Sequence, residues 1–214
     1  MAHPQTHVRT QPLVTIEQYL EMERPSEERH EYLDGYVYAM AGESPEHADI
    51  CTDLILLLGN QLGDGPCRIR SKDTKIRSGP RPKSRRFTKG LFSYPDLVVI
   101  CGEPQYLDEY RDVILNPTVI IEVLSEATEK FDRGAKFLRY QNWNPALSDY
   151  LLVWQDQPVI EHFVRQLDGT WRYSAHQGLE QGLKIESIAC ALPLERVYRR
   201  VTFTAAEPEE DGDS

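Results

Sequence analysis

The sequence predicts an α/β fold: a mixed central β-sheet flanked by α-helices, with antiparallel strands added towards the C-terminus. Three observations carry that prediction. Two short apolar runs rich in β-branched residues, Asp96 to Ile100 and Thr118 to Leu124, have the length and composition of central strands buried on both faces. Helical segments are predicted on either side of them, one opening at Ser44-Pro45-Glu46-His47 and one at Thr128. Nearer the end, Val159 to Val164 and Thr170 to Ser174 flank Asp168-Gly169 as the limbs of a hairpin.

In chain order, Thr15 to Glu23 is predicted as a short helix with Thr15 as its N-cap. Glu31 to Met40 alternates around Asp34-Gly35, as a strand or hairpin limb does. Ser44 suits an N-cap, Pro45 the first turn, and Glu46 complements the helix dipole. That helix should run to about Gln61 and close at Gly63 and Gly65. A strand is predicted over Cys67 to Ile76, then a loop rich in Pro, Gly and Arg through Gly90. Beyond the two apolar strands, Thr128 to Asn142 is predicted helical and Tyr150 to Trp154 a further strand. No repeat or linker interrupts this order. Residues 15–200 are therefore expected to form a single domain between a flexible N-terminus, 1–14, and a disordered acidic tail, 201–214.

The run Leu54 to Leu58 is far too short to span a bilayer. Met1 to Val14 lacks the basic-then-apolar pattern of a secretory signal. Cys51, Cys67, Cys101 and Cys190 show no CxxC spacing, which predicts neither a disulfide framework nor a zinc site. A cytoplasmic protein without membrane contact is the expectation. The net charge of −10 repels a polyanion, but it is unevenly spread. Arg68 to Lys89 holds ten Lys or Arg against the single acid Asp73, so this segment carries +9 and the rest of the chain −19. Arg77, Arg81, Lys83, Arg85, Arg86 and Lys89 are its candidate nucleic-acid contacts; a solvated loop is the plainer alternative.

Glu122 is the most informative position. On a strand it shares one face with Ile120 and Leu124, while Val119, Ile121 and Val123 take the other. A carboxylate inside an apolar run is costly to bury without a cation or hydrogen bonds. A structural pair with an arginine would satisfy it. Asp96 opens the neighbouring strand directly after Pro95, where a turn or cap role is the simple alternative. Two carboxylates converging from central strands repel each other unless positive charge intervenes. Mg²⁺ or Mn²⁺ meets that need with hard oxygen ligands.

Pro95-Asp96 followed by Glu122-Val123-Leu124 resembles the PD-(D/E)XK nuclease signature. More closely, the chain resembles the Uma-two family of restriction-type endonucleases. The matching stretches are Glu31-Tyr32-Leu33-Asp34-Gly35, Ser44 to His47, Tyr94 to Val99, Glu122 to Ser125, Asp132 to Lys136 and Tyr150 to Trp154, covering roughly residues 15 to 165. The resemblance implies a restriction-endonuclease-like fold and a metal-dependent endonuclease acting on nucleic acid, with DNA as the expected substrate. It implies that Asp96, Glu122 and the Val123 carbonyl hold the metal. The last signature position, lysine in many relatives, is Leu124 here, and the resemblance passes its role to Lys136 on the following helix. Pairing with Asp132 at i, i+4 explains Lys136 equally well. His47 is an additional candidate ligand, or simply a helix-cap or exposed histidine. Glu31 is a further candidate or a surface acid, and Tyr140 shares the Lys136 face or packs in the core. Relatives of the fold often act as dimers, so a homodimer is a further expectation. Two other readings stand beside the enzyme: an inactive nucleic-acid-binding or regulatory module, and an interaction domain in which Glu122 pairs with arginine.

Overall fold

The computed structural model describes residues 12–40, 42–126 and 128–203. The expected flexible N-terminus and acidic tail fall mostly outside them. At the edges of the described chain, Val14 N–H donates to Gly35 O at 2.9 Å and Phe203 packs on the Tyr198 ring.

Helix α1 (Ile16–Glu23) starts where Thr15 and Gln18 cap each other reciprocally, each side chain accepting from the other's backbone N–H. Strands β1 (His30–Leu33) and β2 (Tyr36–Ala39) form a hairpin whose two turn residues, Asp34 and Gly35, both take positive φ. In α2 (Pro45–Leu62) the Ser44 hydroxyl caps the His47 N–H at 3.1 Å. The strand expected over Cys67 to Ile76 is instead two, β3 (Cys67–Ser71) and β4 (Lys75–Ser78), in different sheets. A tight turn closed by Thr74 N–H on Ser71 O separates them. Next come β5 (Leu91–Ser93), β6 (Leu97–Cys101), β7 (Val113–Ile114) and β8 (Val119–Leu124). The predicted helix from Thr128 is α3 (Glu129–Phe131) and α4 (Phe137–Trp143), joined by a π-helical turn, Asp132–Lys136. Then follow β9 (Asp149–Trp154), β10 (Val159–Arg165), β11 (Trp171–Gln177), β12 (Gly182–Ile185), β13 (Cys190–Pro193) and α5 (Leu194–Val197).

The α/β class holds, with mixed sheets, flanking helices and antiparallel C-terminal strands. One sheet runs β2-β1-β5-β4-β7 and the other β11-β10-β9-β8-β6-β3, with β12 and β13 as a separate pair. In the six-stranded sheet β8 is antiparallel to β6 and parallel to β9. Strand β8 is buried along its whole length, and its alternation divides two cores. Val119, Ile121 and Val123 face Ile50, Leu54 and Leu58 of α2. Ile120 and Leu124 face Phe137 and Tyr140 of α4 and Ile76 and Leu91 of the five-stranded sheet. A third cluster packs Ile16, Tyr19 and Leu20 of α1 on Tyr32, Phe92 and Val113.

One expectation is overturned. Cys67 and Cys101 form a disulfide, because β3 and β6 pair antiparallel with these two residues directly opposite. Strand register brings them together across 34 residues, which local cysteine spacing does not reveal, and the inference of a reducing compartment loses that support. Among the described residues no helix is long and apolar enough to cross a membrane.

Candidate active site

Strand β6 starts at Leu97, opposite Ile121 of β8, so Asp96 stands one step beyond the ladder, where β8 keeps β9 on its other edge but has lost β6. The Val123 N–H has lost its strand partner there and donates to Asp96 Oδ2 at 2.7 Å. His47, in the first turn of α2, brings Nε2 within 3.2 Å of the same oxygen. Both contacts use Oδ2; among the described residues Oδ1 accepts no hydrogen bond.

Glu122, across from Asp96 in the register of β8 and β6, lines the same cleft. It is 3% exposed, and Tyr140 OH donates to its Oε1 at 3.1 Å while itself bonding the Ser93 hydroxyl at 2.9 Å. Lys136 Nζ lies 3.2 Å from Glu122 Oε1, 3.2 Å from Glu31 Oε1 and 2.9 Å from Asp132 Oδ1. The π-helical turn presents Asp132 and Lys136 inward together, both buried. Asp132 Oδ1 makes no hydrogen bond of its own and is held by the ammonium charge alone.

Four carboxylates (Glu31, Asp96, Glu122, Asp132) thus share a single cleft with Lys136, which contacts all of them but Asp96. Burial pushes the Glu122 carboxyl well above its ordinary range; Lys136 opposes this, and Asp132, Asp96 and Glu31 reinforce it. Burial works against the Lys136 charge, but Glu122, Glu31 and Asp132 outweigh it and hold the ammonium protonated. For His47, burial is likewise overcome by Asp96 and Glu43, which raise its pKa. His47 Nδ1 lies 3.3 Å from Glu43 Oε2 and 3.7 Å from Cys51 Sγ. Donor atoms of His47, Cys51 and Asp96 all fall within 4.8 Å of one another, a grouping able to hold a metal ion. Burial, with Asp96 and Glu43 adding, pushes the Cys51 thiol upward, so it sits as a neutral neighbour.

The cleft has a volume of about 670 Å³, and its lining includes Glu31, His47, Asp96, Glu122, Val123 and Lys136, six of the seven residues that the sequence nominated for the site. Tyr140 sits behind Glu122, fully buried. The pair expected in an interaction domain, Glu122 with a guanidinium, is replaced by Glu122 with an ammonium. Apart from Lys72, which lines the cleft and pairs with Glu43, the basic segment lies elsewhere. Arg77 is buried and donates to the carbonyls of Gly79 and Pro80, so it is a fold-holding residue rather than an exposed contact. Arg81, Lys83, Arg85, Arg86 and Lys89 are exposed on the loop between β4 and β5, beside α1, where Ile16 N–H meets Phe87 O. The far end of β5 leads to Asp96. Gly90 and Asp96 are thus separated by about 20 Å of extended chain, and the loop contributes nothing to the cleft lining.

Lys72, Glu43, Cys51, Asp132 and Tyr38 were not singled out from the sequence as site residues. Cys51 stands four residues after His47 within α2, so helical spacing held the signal for it; Glu43 precedes the N-cap Ser44 and had no such signal.

Residues 16–194 match the Uma2 family, described as "putative restriction endonuclease". The chain belongs to the Uma2 family. A curated relative from Synechocystis sp. (strain ATCC 27184 / PCC 6803 / Kazusa), named "Uncharacterized protein slr1290", is 35% identical over 192 residues, 90% of this chain and 95% of its own. A second from the same organism, "Uncharacterized protein sll1609", is 30% identical over 164 residues, 77% of this chain and 88% of its own. Among solved structures, a "putative nuclease belonging to DUF820" from Anabaena variabilis ATCC 29413 superposes with a TM-score of 0.69 at 13% identity, covering 87% of this chain and 98% of its own. At that identity the likeness establishes the shared fold of this Uma2 chain.

Proposed function

We propose that this Uma2 chain is a divalent-metal-dependent nuclease that hydrolyses phosphodiester bonds in nucleic acid, with DNA as the favoured substrate. The observation that carries the reading is the convergence of Asp96, Glu122, Glu31 and Lys136 in one cleft. The donor set fits Mg²⁺ or Mn²⁺: carboxylate oxygens predominate, and Asp132 Oδ1 is a buried acceptor without a hydrogen bond. Asp96, Glu122 and the Val123 carbonyl would hold the ion, and His47 is placed to join Asp96. The Val123 N–H points to the open edge at Asp96, and the carbonyl of a strand residue faces the same side as its N–H. When bound, the ion lowers the pKa of a water and neutralises charge on the phosphate. Lys136 stands as an ammonium within 3.2 Å of three carboxylates, Glu122, Glu31 and Asp132. It acts electrostatically, offering a fixed cation to the oxygens that gain charge. Tyr140 and Ser93 orient the Glu122 carboxylate, and Val123 N–H orients that of Asp96.

Asp96→Asn tests the assignment. The expected outcome is loss of calorimetric Mn²⁺ binding together with loss of plasmid and single-strand cleavage, while the circular dichroism spectrum is kept. A variant that still binds Mn²⁺ as tightly as wild type removes Asp96 from the site. A second reading, a nucleic-acid-binding module without activity, draws on one observation: Lys136 already neutralises much of the charge of Glu122, Glu31 and Asp132. Nucleic-acid binding by wild type without metal binding or cleavage decides for that module.

A further inference from the structure

We infer that the exposed face of β2 is a stacking platform for unpaired nucleobases, and that the cleft therefore acts on single-stranded or locally unpaired nucleic acid in preference to closed duplex. This rests on the nuclease reading and specifies its substrate. Among the described residues strand β2 is an edge strand, paired with β1 alone. Tyr36 and Tyr38 are each 51% exposed and Met40 37%, at alternate positions that project from one face. Five tyrosines (Tyr19, Tyr32, Tyr140, Tyr150 and Tyr198) are essentially inaccessible, with their hydroxyls bonded; Tyr110 and Tyr173 are also exposed, but neither lines the cleft as Tyr38 does.

Register ties this face to the chemistry. Tyr38 lies directly opposite Glu31, and Tyr36 opposite Leu33. Opposed residues of an antiparallel pair project from the same face with Cβ atoms about 5 Å apart. Tyr38 therefore stands beside the carboxylate whose oxygen is 3.2 Å from Lys136 Nζ. Tyr38 and Met40 line the same cleft as Asp96 and Glu122. A nucleotide whose phosphate reaches Asp96 and Glu122 has a neighbouring base over the Tyr38 ring.

Spacing selects the form of the substrate. Alternate side chains on a strand repeat at roughly 6.7 Å, about twice the 3.4 Å rise per nucleotide of a duplex strand. Tyr36 and Tyr38 thus match bases that have been unstacked and drawn apart, not consecutive pairs of a helix. Tyr36 to Gly42 contains no charged residue, so the strip itself adds nothing to the repulsion that the neighbouring cleft acids exert on a polyanion. Tyrosine offers an apolar ring face with a wet hydroxyl, which suits stacking against any base.

The test is fluorescence anisotropy with one labelled oligonucleotide, single-stranded and annealed to its complement, with Ca²⁺ replacing Mg²⁺ to permit binding without turnover. Wild type is expected to favour the single strand. Tyr38→Ala should weaken single-strand binding roughly 5- to 150-fold, the range for one stacked base, leave duplex binding unchanged, and be restored by Tyr38→Phe. Tyr36→Ala should give a smaller loss in the same direction. An unchanged single-strand affinity in Tyr38→Ala, or equal loss for both forms, overturns the platform while Mn²⁺ binding and cleavage keep the nuclease reading intact. If wild type binds neither form, both fail. If Tyr38→Ala instead converts a sedimenting dimer to a monomer, the strip is a contact between copies and the platform is wrong.

Discussion

Lys136 is the counter-charge for three acids at once, and its removal isolates them. Breaking a buried charge cluster by deleting one partner typically costs about 3–5 kcal/mol. Lys136→Met is therefore expected to lower the urea-unfolding free energy by about that much, and Glu122→Gln in the same chain to recover part of it. Glu122→Gln alone should raise the thermal midpoint of the metal-free protein, because it removes one acid from a crowded set. A fall in that midpoint would mean that the Glu122–Lys136 contact outweighs repulsion from Asp132, Asp96 and Glu31. Both principal acids were legible in the sequence because strand periodicity makes a carboxylate inside Val119–Leu124, or just before Leu97, conspicuous. Asp132 was not: it was legible only as a surface partner of Lys136, and nothing local signals a π-helical turn that buries both.

At the scale of elements, the β1–β2 turn is tied to two distant segments through one side chain. Asp34 accepts from Gly90 N–H at 2.8 Å and from the Arg139 guanidinium of α4. Burial alone pushes the Asp34 carboxyl upward, but the Gly90 N–H and Arg139 outweigh it and hold it below its ordinary value. A folded-state pKa below the unfolded one stabilises above the unfolded value, and that stabilisation fades as pH falls through the folded one. Asp34→Asn should therefore lower the thermal midpoint near neutral pH. The difference from wild type should shrink as pH falls below about 4; a difference that widened on acidification would reverse the sign assigned to Asp34. Helices α1 and α2 and the β10–β11 hairpin were readable because caps and turn residues act locally. Strands β5 and β7, of three and two residues, carry no periodicity and exist through their neighbours in the sheet. The same holds for the division of residues 67–78 between two sheets, where the basic composition gave no hint of the turn at Lys72 and Asp73.

Across the whole molecule, Lys72 and Lys136 line the cleft, whereas the exposed cations of the β4–β5 loop do not. On the proposed nuclease reading, those loop cations would hold the flanks of a longer substrate. Arg85→Ala with Arg86→Ala is expected to reduce the salt dependence of binding to long duplex by up to about 0.9 per lost phosphate contact. Hydrolysis of bis(p-nitrophenyl) phosphate, which spans only the cleft, should stay at the wild-type rate. An equal loss on both substrates would place the loop at the site after all. The sequence displayed this charge plainly but not its distance from Glu122, because that distance is set by strand order.

The π-helical turn also bears on how such a molecule can change over time. A π turn accommodates one more residue than a regular α-helix needs at that point, and losing one rotates the segments on either side by about 100° relative to each other. A single deletion at Gly134 would regularise the backbone, leave Asp132 and Lys136 as an i, i+3 pair on one helix face, and instead turn the whole preceding segment relative to α4.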